Sequence, residues 1–130
     1  MALDIAITKP DPRSYRVKLT GSLDNASAPV LDKRMEEVAS DAYARVLHLE
    51  LHDLAFISSA GLASIARIKK AMTSRGGVML VIGAQPQITR VFDIVKMLPK
   101  ESVFTSRQEA DAYLAAIQKN VIEENRPNPA

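Results

Sequence analysis

Ser58 and Ser59 stand where this 130-residue chain places hydroxyls in the most reactive setting. They lie in the run Asp53-Leu54-Ala55-Phe56-Ile57-Ser58-Ser59-Ala60-Gly61-Leu62, where a strand pattern gives way to a helical one. The first-turn N–H groups of a helix lack intrahelical acceptors, and the helix dipole favours negative charge there. Ala60 and Gly61 keep that turn small, so a phosphate or a partner's backbone can approach it. A phosphate on Ser59 would gain about 0.3–1 kcal/mol from the dipole alone. The commonplace alternative is that Ser58 or Ser59 serves only as the N-cap, and spacing leaves both readings open.

Other candidate chemistry is thin. His48, Glu50 and His52 share a strand face, but residues four apart along a strand are about 13 Å apart at about 3.3 Å per residue. Metal ligands lie about 2 Å from their ion, so two such histidines cannot chelate one; a polar face partly open to solvent is the expectation. Ser59 lacks a Gly-x-Ser-x-Gly elbow, and Gly76-Gly77 has no phosphate-cradle spacing and reads as a helix stop. No catalytic residue, metal site or cofactor is expected. Arg67, Lys69, Lys70 and Arg75 read as a solvated helix face, with a docking surface for an acidic partner as the alternative.

Composition narrows the classes further. The chain is 47% hydrophobic and 25% charged, close to globular averages. Seventeen Lys and Arg against fifteen Asp and Glu leave +2, too small and too dispersed an excess for a nucleic-acid partner. The absence of cysteine excludes disulfides and thiol chemistry. The longest apolar run, Val78 to Ile82, falls far short of the roughly 20 residues of a membrane span. With no basic, apolar leader at Met1–Asp4, a cytoplasmic location is expected.

The elements that must position the serines follow from periodicity. Leu3, Ile5 and Ile7, then Tyr15, Val17 and Leu19, alternate with polar neighbours around Pro10-Asp11-Pro12, predicting an antiparallel pair. Leu31, Met35, Val38 and Ala39 predict a helix with Ser27 as N-cap. Val46 to Leu51 reads as a third strand, and Leu62, Ile65, Ile68 and Met72 as the buried stripe of a second helix. The wholly apolar Val78–Ile82 predicts a strand covered on both faces. A third helix runs from Pro86 through Leu98 to Pro99, a short edge strand at Val103-Phe104, and a fourth helix from a Ser106/Glu109 capping box through Ile117. The expected class is α/β: a small mixed sheet of four to five strands with about four helices packed against it. One domain is expected over residues 1–122, with a flexible tail at 123–130.

Four stretches in register resemble the STAS-domain anti-sigma-factor antagonists. Phe56-Ile57-Ser58-Ser59-Ala60-Gly61-Leu62 is similar to the family's phosphorylation loop, Phe-Met/Ile-Asp-Ser-Ser/Ala/Thr-Gly-Leu. Leu19-Thr20-Gly21-Ser22-Leu23-Asp24 resembles Leu-x-Gly-Glu-Leu-Asp, Leu49-Glu50-Leu51 takes the central-strand place, and Arg90-Val91-Phe92-Asp93-Ile94 is similar to its Arg-Leu-Phe-Asp stretch. The resemblance implies a binding module without catalysis of its own. Its unmodified form binds an anti-sigma factor that is also a GHKL-type serine kinase; phosphorylation ends the complex, and a PP2C-type phosphatase restores it. Ser59 matches the phosphoacceptor, with Ser58 as alternative, because Ser58 stands where the family carries an acidic residue. Asp24, Ser58, Ser59, Ala60 and Gly61 are the implied partner-binding residues, and a monomer or weak dimer is expected. A non-switching scaffold module of a regulatory or membrane-transport complex is the alternative, and a small hydrolase or nucleotide-binding enzyme the third reading.

Overall fold

Apolar alternation sets the first two strands against each other. β1 (Leu3–Asp11) and β2 (Ser14–Leu23) run antiparallel, with Ile5 opposite Leu19 and Ile7 opposite Val17. The computed structural model describes residues 2–95, 103, 104 and 106–124, and the side chains of all of these except 94, 95, 103 and 117–124. Beyond the pair come α1 (Ala28–Arg34), α2 (Glu36–Ala39), β3 (Val46–Ile57), α3 (Ser59–Thr73), β4 (Val78–Ile82), α4 (Pro86–Val95), β5 (Val103–Phe104) and α5 (Arg107–Glu124). The sheet order is β1-β2-β3-β4-β5, with β2 through β5 parallel. The α/β class and mixed sheet are those expected. Leu98, Pro99 and residues 125–130 of the expected tail lie outside the described residues, and α5 includes the tail's first two positions, Glu123 and Glu124.

The strands divide their side chains between two cores. Val17, Leu19, Leu47, Leu49, Leu51, Met79 and Val81 face one side and pack with Leu31, Ile65, Met72, Ile88 and Phe92 from α1, α3 and α4. Leu80, Ile82 and Phe104 face the other, where Ala110, Tyr113 and Leu114 of α5 cover them. Burial of both sheet faces is why β4 reads as an unbroken apolar run.

Three expectations need correction. The helix expected to run to Ala39 is interrupted at Met35, where ψ is −5°; the bend still buries Leu31, Met35 and Val38 on one side. β3 continues six residues beyond Leu51, because β2 keeps pairing with it as far as Leu23 opposite Ile57. Two bulges each give β3 one residue more than β2. They put Leu51, Leu54 and Ile57 inward at a spacing of three, which no period-two reading detects. Finally, the polar face of β3 is not open to solvent at His48 and Glu50, which α5 covers to 4% and 7% exposure. Arg107 donates from Nε and Nη2 to Glu50 Oε1 at 3.0 and 2.5 Å. His52 alone of the three is exposed, its ring seated where Gly83 has no Cβ.

Candidate functional site

The ends of β2 and β3 bring two loops together. The Leu23 carbonyl accepts the Ser58 N–H at 2.8 Å, so the segment opened by Asp24 and the start of α3 leave the sheet side by side. Ser58 is extended (φ −95°, ψ 174°), and its Oγ accepts the Gly61 N–H at 3.2 Å. It is thus the N-cap of α3, answering one of the orphan first-turn donors. Ser59, the first helical residue, is exposed, and its hydroxyl makes no hydrogen bond among the described residues. Neither serine meets a histidine or carboxylate there, so no neighbouring base activates it as a nucleophile.

Gly61 does something other than admit a partner. It is buried, and a Cβ added to it would come 2.7 Å from Leu23 Cγ and 2.9 Å from the Leu23 carbonyl oxygen. Its smallness lets α3 close onto the end of β2, and that contact sets the height at which Ser58, Ser59 and Ala60 emerge. Ala60 is half-buried, at the head of a groove of about 210 Å3 between α1 and α3. Asn25, Pro29 and Asp32 form one wall and Ala63 and Arg67 the other. Arg67 Nη2 bridges to Asp32 Oδ2 at 2.7 Å.

Asp24 organises the neighbouring loop. Its Oδ1 accepts the backbone N–H groups of Ala26 and Ser27 at 3.0 and 2.9 Å, and its carbonyl accepts the Ala28 N–H at 2.8 Å. The bonds to the carboxylate, chiefly those from Ser27, hold the Asp24 carboxyl below its usual range. Ser27 occupies the expected N-cap position, but its side chain makes no capping bond. Its Oγ instead accepts the Asp24 N–H at 2.8 Å and lies 2.9 Å from the Ser22 carbonyl oxygen. Asp24 therefore nucleates the turn into α1.

The structure brings Asp24, Ser58, Ser59 and Ala60 to one end of the sheet and buries Gly61 beneath them. Sequence reasoning did not find the α1–α3 groove, nor that Phe56 points outward at 52% exposure beside the serines. The period-three stripe at Leu51, Leu54 and Ile57 was the available signal for Phe56. Of the cations expected to be solvated, Arg67 on α3 stays exposed while pairing with Asp32, and Arg75, just past the end of α3, directs its guanidinium to the carbonyls of Val38, Ala39 and Asp41.

Comparison with known proteins places this geometry in context. The family described as STAS domain matches residues 6–110. The anti-sigma F factor antagonist of Paenibacillus polymyxa is 29% identical over 86 residues, which cover 64% of this chain and 74% of that protein. The phosphorylated form of the Bacillus cell fate determinant SpoIIAA superposes with a TM-score of 0.70 at 12% identity, covering 85% of this chain and 99% of that one. The STAS domain of a SulP transporter from Vibrio cholerae superposes with a TM-score of 0.61 at 20% identity, covering 88% of each chain. At such identities the two structural likenesses concern the fold alone.

Proposed function

The chain belongs to the STAS domain family, and from that premise we propose that it is an anti-sigma-factor antagonist working as a phosphorylation-controlled binding switch. The unmodified protein binds a GHKL-type serine kinase that is also an anti-sigma factor. Transfer of phosphate to Ser59 releases it, and a PP2C-type phosphatase resets the cycle in the cytoplasm. The curated relative carries the antagonist role in its name. The observation that carries the reading is the division of labour between the two serines: Ser58 Oγ is held by the Gly61 N–H, while the Ser59 hydroxyl is exposed and unengaged.

The physics suits a switch without catalysis. Phosphorylation adds about −1.5 to −2 charges and three strong acceptors. On Ser59 that charge sits beside the start of α3, where the dipole tolerates it, so the domain need not refold. A partner docked over Phe56, Ala60 and the Asp24 loop would instead have to desolvate or repel the anion. Each ~1.4 kcal/mol of that penalty weakens binding tenfold, so about 3 kcal/mol gives roughly a hundredfold.

Incubation with the kinase and ATP should add one phosphate, mapped by mass spectrometry to Ser59. Ser59→Ala should accept none, and Ser59→Asp should bind the kinase roughly a hundredfold more weakly. A phosphate mapped to Ser58 would transfer the role to that residue; no phosphate on either would overturn the reading. The scaffold alternative draws on the likeness to the transporter STAS domain. A constitutive complex indifferent to phosphatase would favour it.

A further inference from the structure

On the sheet face opposite α1, α3 and α4, Ala110, Tyr113 and Leu114 of α5 rest on Leu80, Ile82 and Phe104. We propose that α5 is a proton-sensitive roof. When His48 takes up a proton, α5 lifts from the sheet as a unit and exposes that apolar patch, while the rest of the domain stays folded.

The docked roof seals polar atoms that it does not pair. Arg16 on β2 and His48 on β3 are cross-strand neighbours beneath it. The Arg16 Nε and both ring nitrogens of His48 are closed to water and have no hydrogen-bond partner among the described residues. Asp111 Oδ1 of α5 stands 3.6 Å from His48 Nε2, beyond hydrogen-bond range. Covered polar groups are almost always paired, because an unpaired one forfeits its hydration and gains nothing in return. Three of them burden the docked state, and lifting α5 lets water pair all three. Such a burden marks the segment that opens first, ahead of global unfolding.

The charges around the ring decide what a proton does. Arg16 faces it from β2, Glu50 from β3, and Arg107 and Asp111 from α5. Asp11, at the end of β1, lines the hollow beside it and accepts the Arg13 N–H. Arg107 is bonded to Glu50, so those two charges offset each other. Arg16 repels an imidazolium, and Asp111, half in solvent at 55% exposure, attracts it from the far side. With the neighbours opposed, burial dominates: it pushes the docked ring below its ordinary 6.5, and the Arg16 charge adds to the push. Once α5 lifts, the ring meets water and recovers that ordinary value. The open form therefore binds more protons below pH 6.5. Docking is complete above that pH and weakens as pH falls towards the docked ring's lower value. The junction at Ser59 belongs to the other core and does not depend on the roof.

Hydrogen exchange of the full chain, read by mass spectrometry and corrected for the intrinsic effect of pH, tests this. Between about pH 7.5 and about pH 5, exchange in α5 should rise at least about threefold. One proton and an open value of 6.5 set a ceiling of about thirtyfold. The amides of α3 should keep their protection over the same interval. His48→Leu, which takes up no proton, should show the same α5 exchange at both pH values. In the unaltered chain, ring-nitrogen NMR follows His48 apart from the exposed His52, and the His48 ring should titrate below 6.5. That measurement decides the matter even where His48→Leu fails to fold. The proposal is overturned if α5 exchange is the same at both pH values or if α3 loses protection along with α5. It is equally overturned if His48→Leu keeps the rise, or if the His48 ring titrates above 6.5.

Discussion

Two adjacent hydroxyls with the same chemistry carry different duties. A residue's position relative to the first turn decides which: Ser58 is extended and reaches forward to the Gly61 N–H, while Ser59 is already helical and its side chain points out. Ser58→Ala should therefore destabilise the fold by about 0.5–2 kcal/mol, the ordinary cost of losing a serine cap. Ser59→Ala should change stability by no more than about 0.5 kcal/mol, as at an unengaged surface site. Urea denaturation of the two variants checks this, and equal losses would show that the two hydroxyls share the cap. The chemistry of this pair was legible in the residue types. Its partition was not, because it depends on where β3 stops pairing: the Leu23 carbonyl takes the Ser58 N–H and fixes which serine begins the helix.

At the scale of elements, the site is a junction held by one close approach. Gly61 meets Leu23 without a Cβ, which seats α3 against the end of β2. Gly61→Ala drives a methyl into Leu23 and should cost about 1–3 kcal/mol, the usual range for overpacking. Because the displacement falls on the first turn of α3, kinase binding should fall along with stability, whereas Ser59→Ala should leave stability intact. Calorimetry with a binding titration separates the two, and a Gly61→Ala protein of unchanged stability would refute the packing role. Helices and strands with unbroken periods were readable in advance: β1, β2 and β4, the stripe of α3, and the Ser106 cap of α5, whose Oγ accepts the Glu109 N–H at 3.2 Å. The outer half of β3 was not, since its bulges replace a period of two by a spacing of three that a period-two reading misses.

At the scale of the molecule, Asp41 ties together parts distant in sequence. Its Oδ2 accepts from Lys9 Nζ at 2.9 Å on β1 and from Tyr15 Oη at 2.8 Å on β2, and its Oδ1 accepts the Tyr43 N–H at 2.9 Å. The Lys9 bond above all, with those from Tyr15 and Tyr43, lowers its carboxyl from 3.8 to about 2. A depressed carboxylate stabilises the fold fully above its unfolded value, and the contribution is lost as pH falls through the folded one. Melting temperature should therefore decline between pH 3.8 and about 2, and Asp41→Asn should flatten that limb; an unchanged slope would refute the role. The order of elements, the α/β class and the serine-bearing junction could be determined from sequence because they rest on local periodicity and cap chemistry, which neighbours in the chain dictate. Tertiary structure alone decided that α5 would lie over His48 and Glu50, that the Arg75 guanidinium would meet the carbonyls of Val38, Ala39 and Asp41, and that Gly61 would face inward. Each of these depends on which distant element comes to lie opposite a side chain, and burial and pairing are properties of that neighbour as much as of the residue.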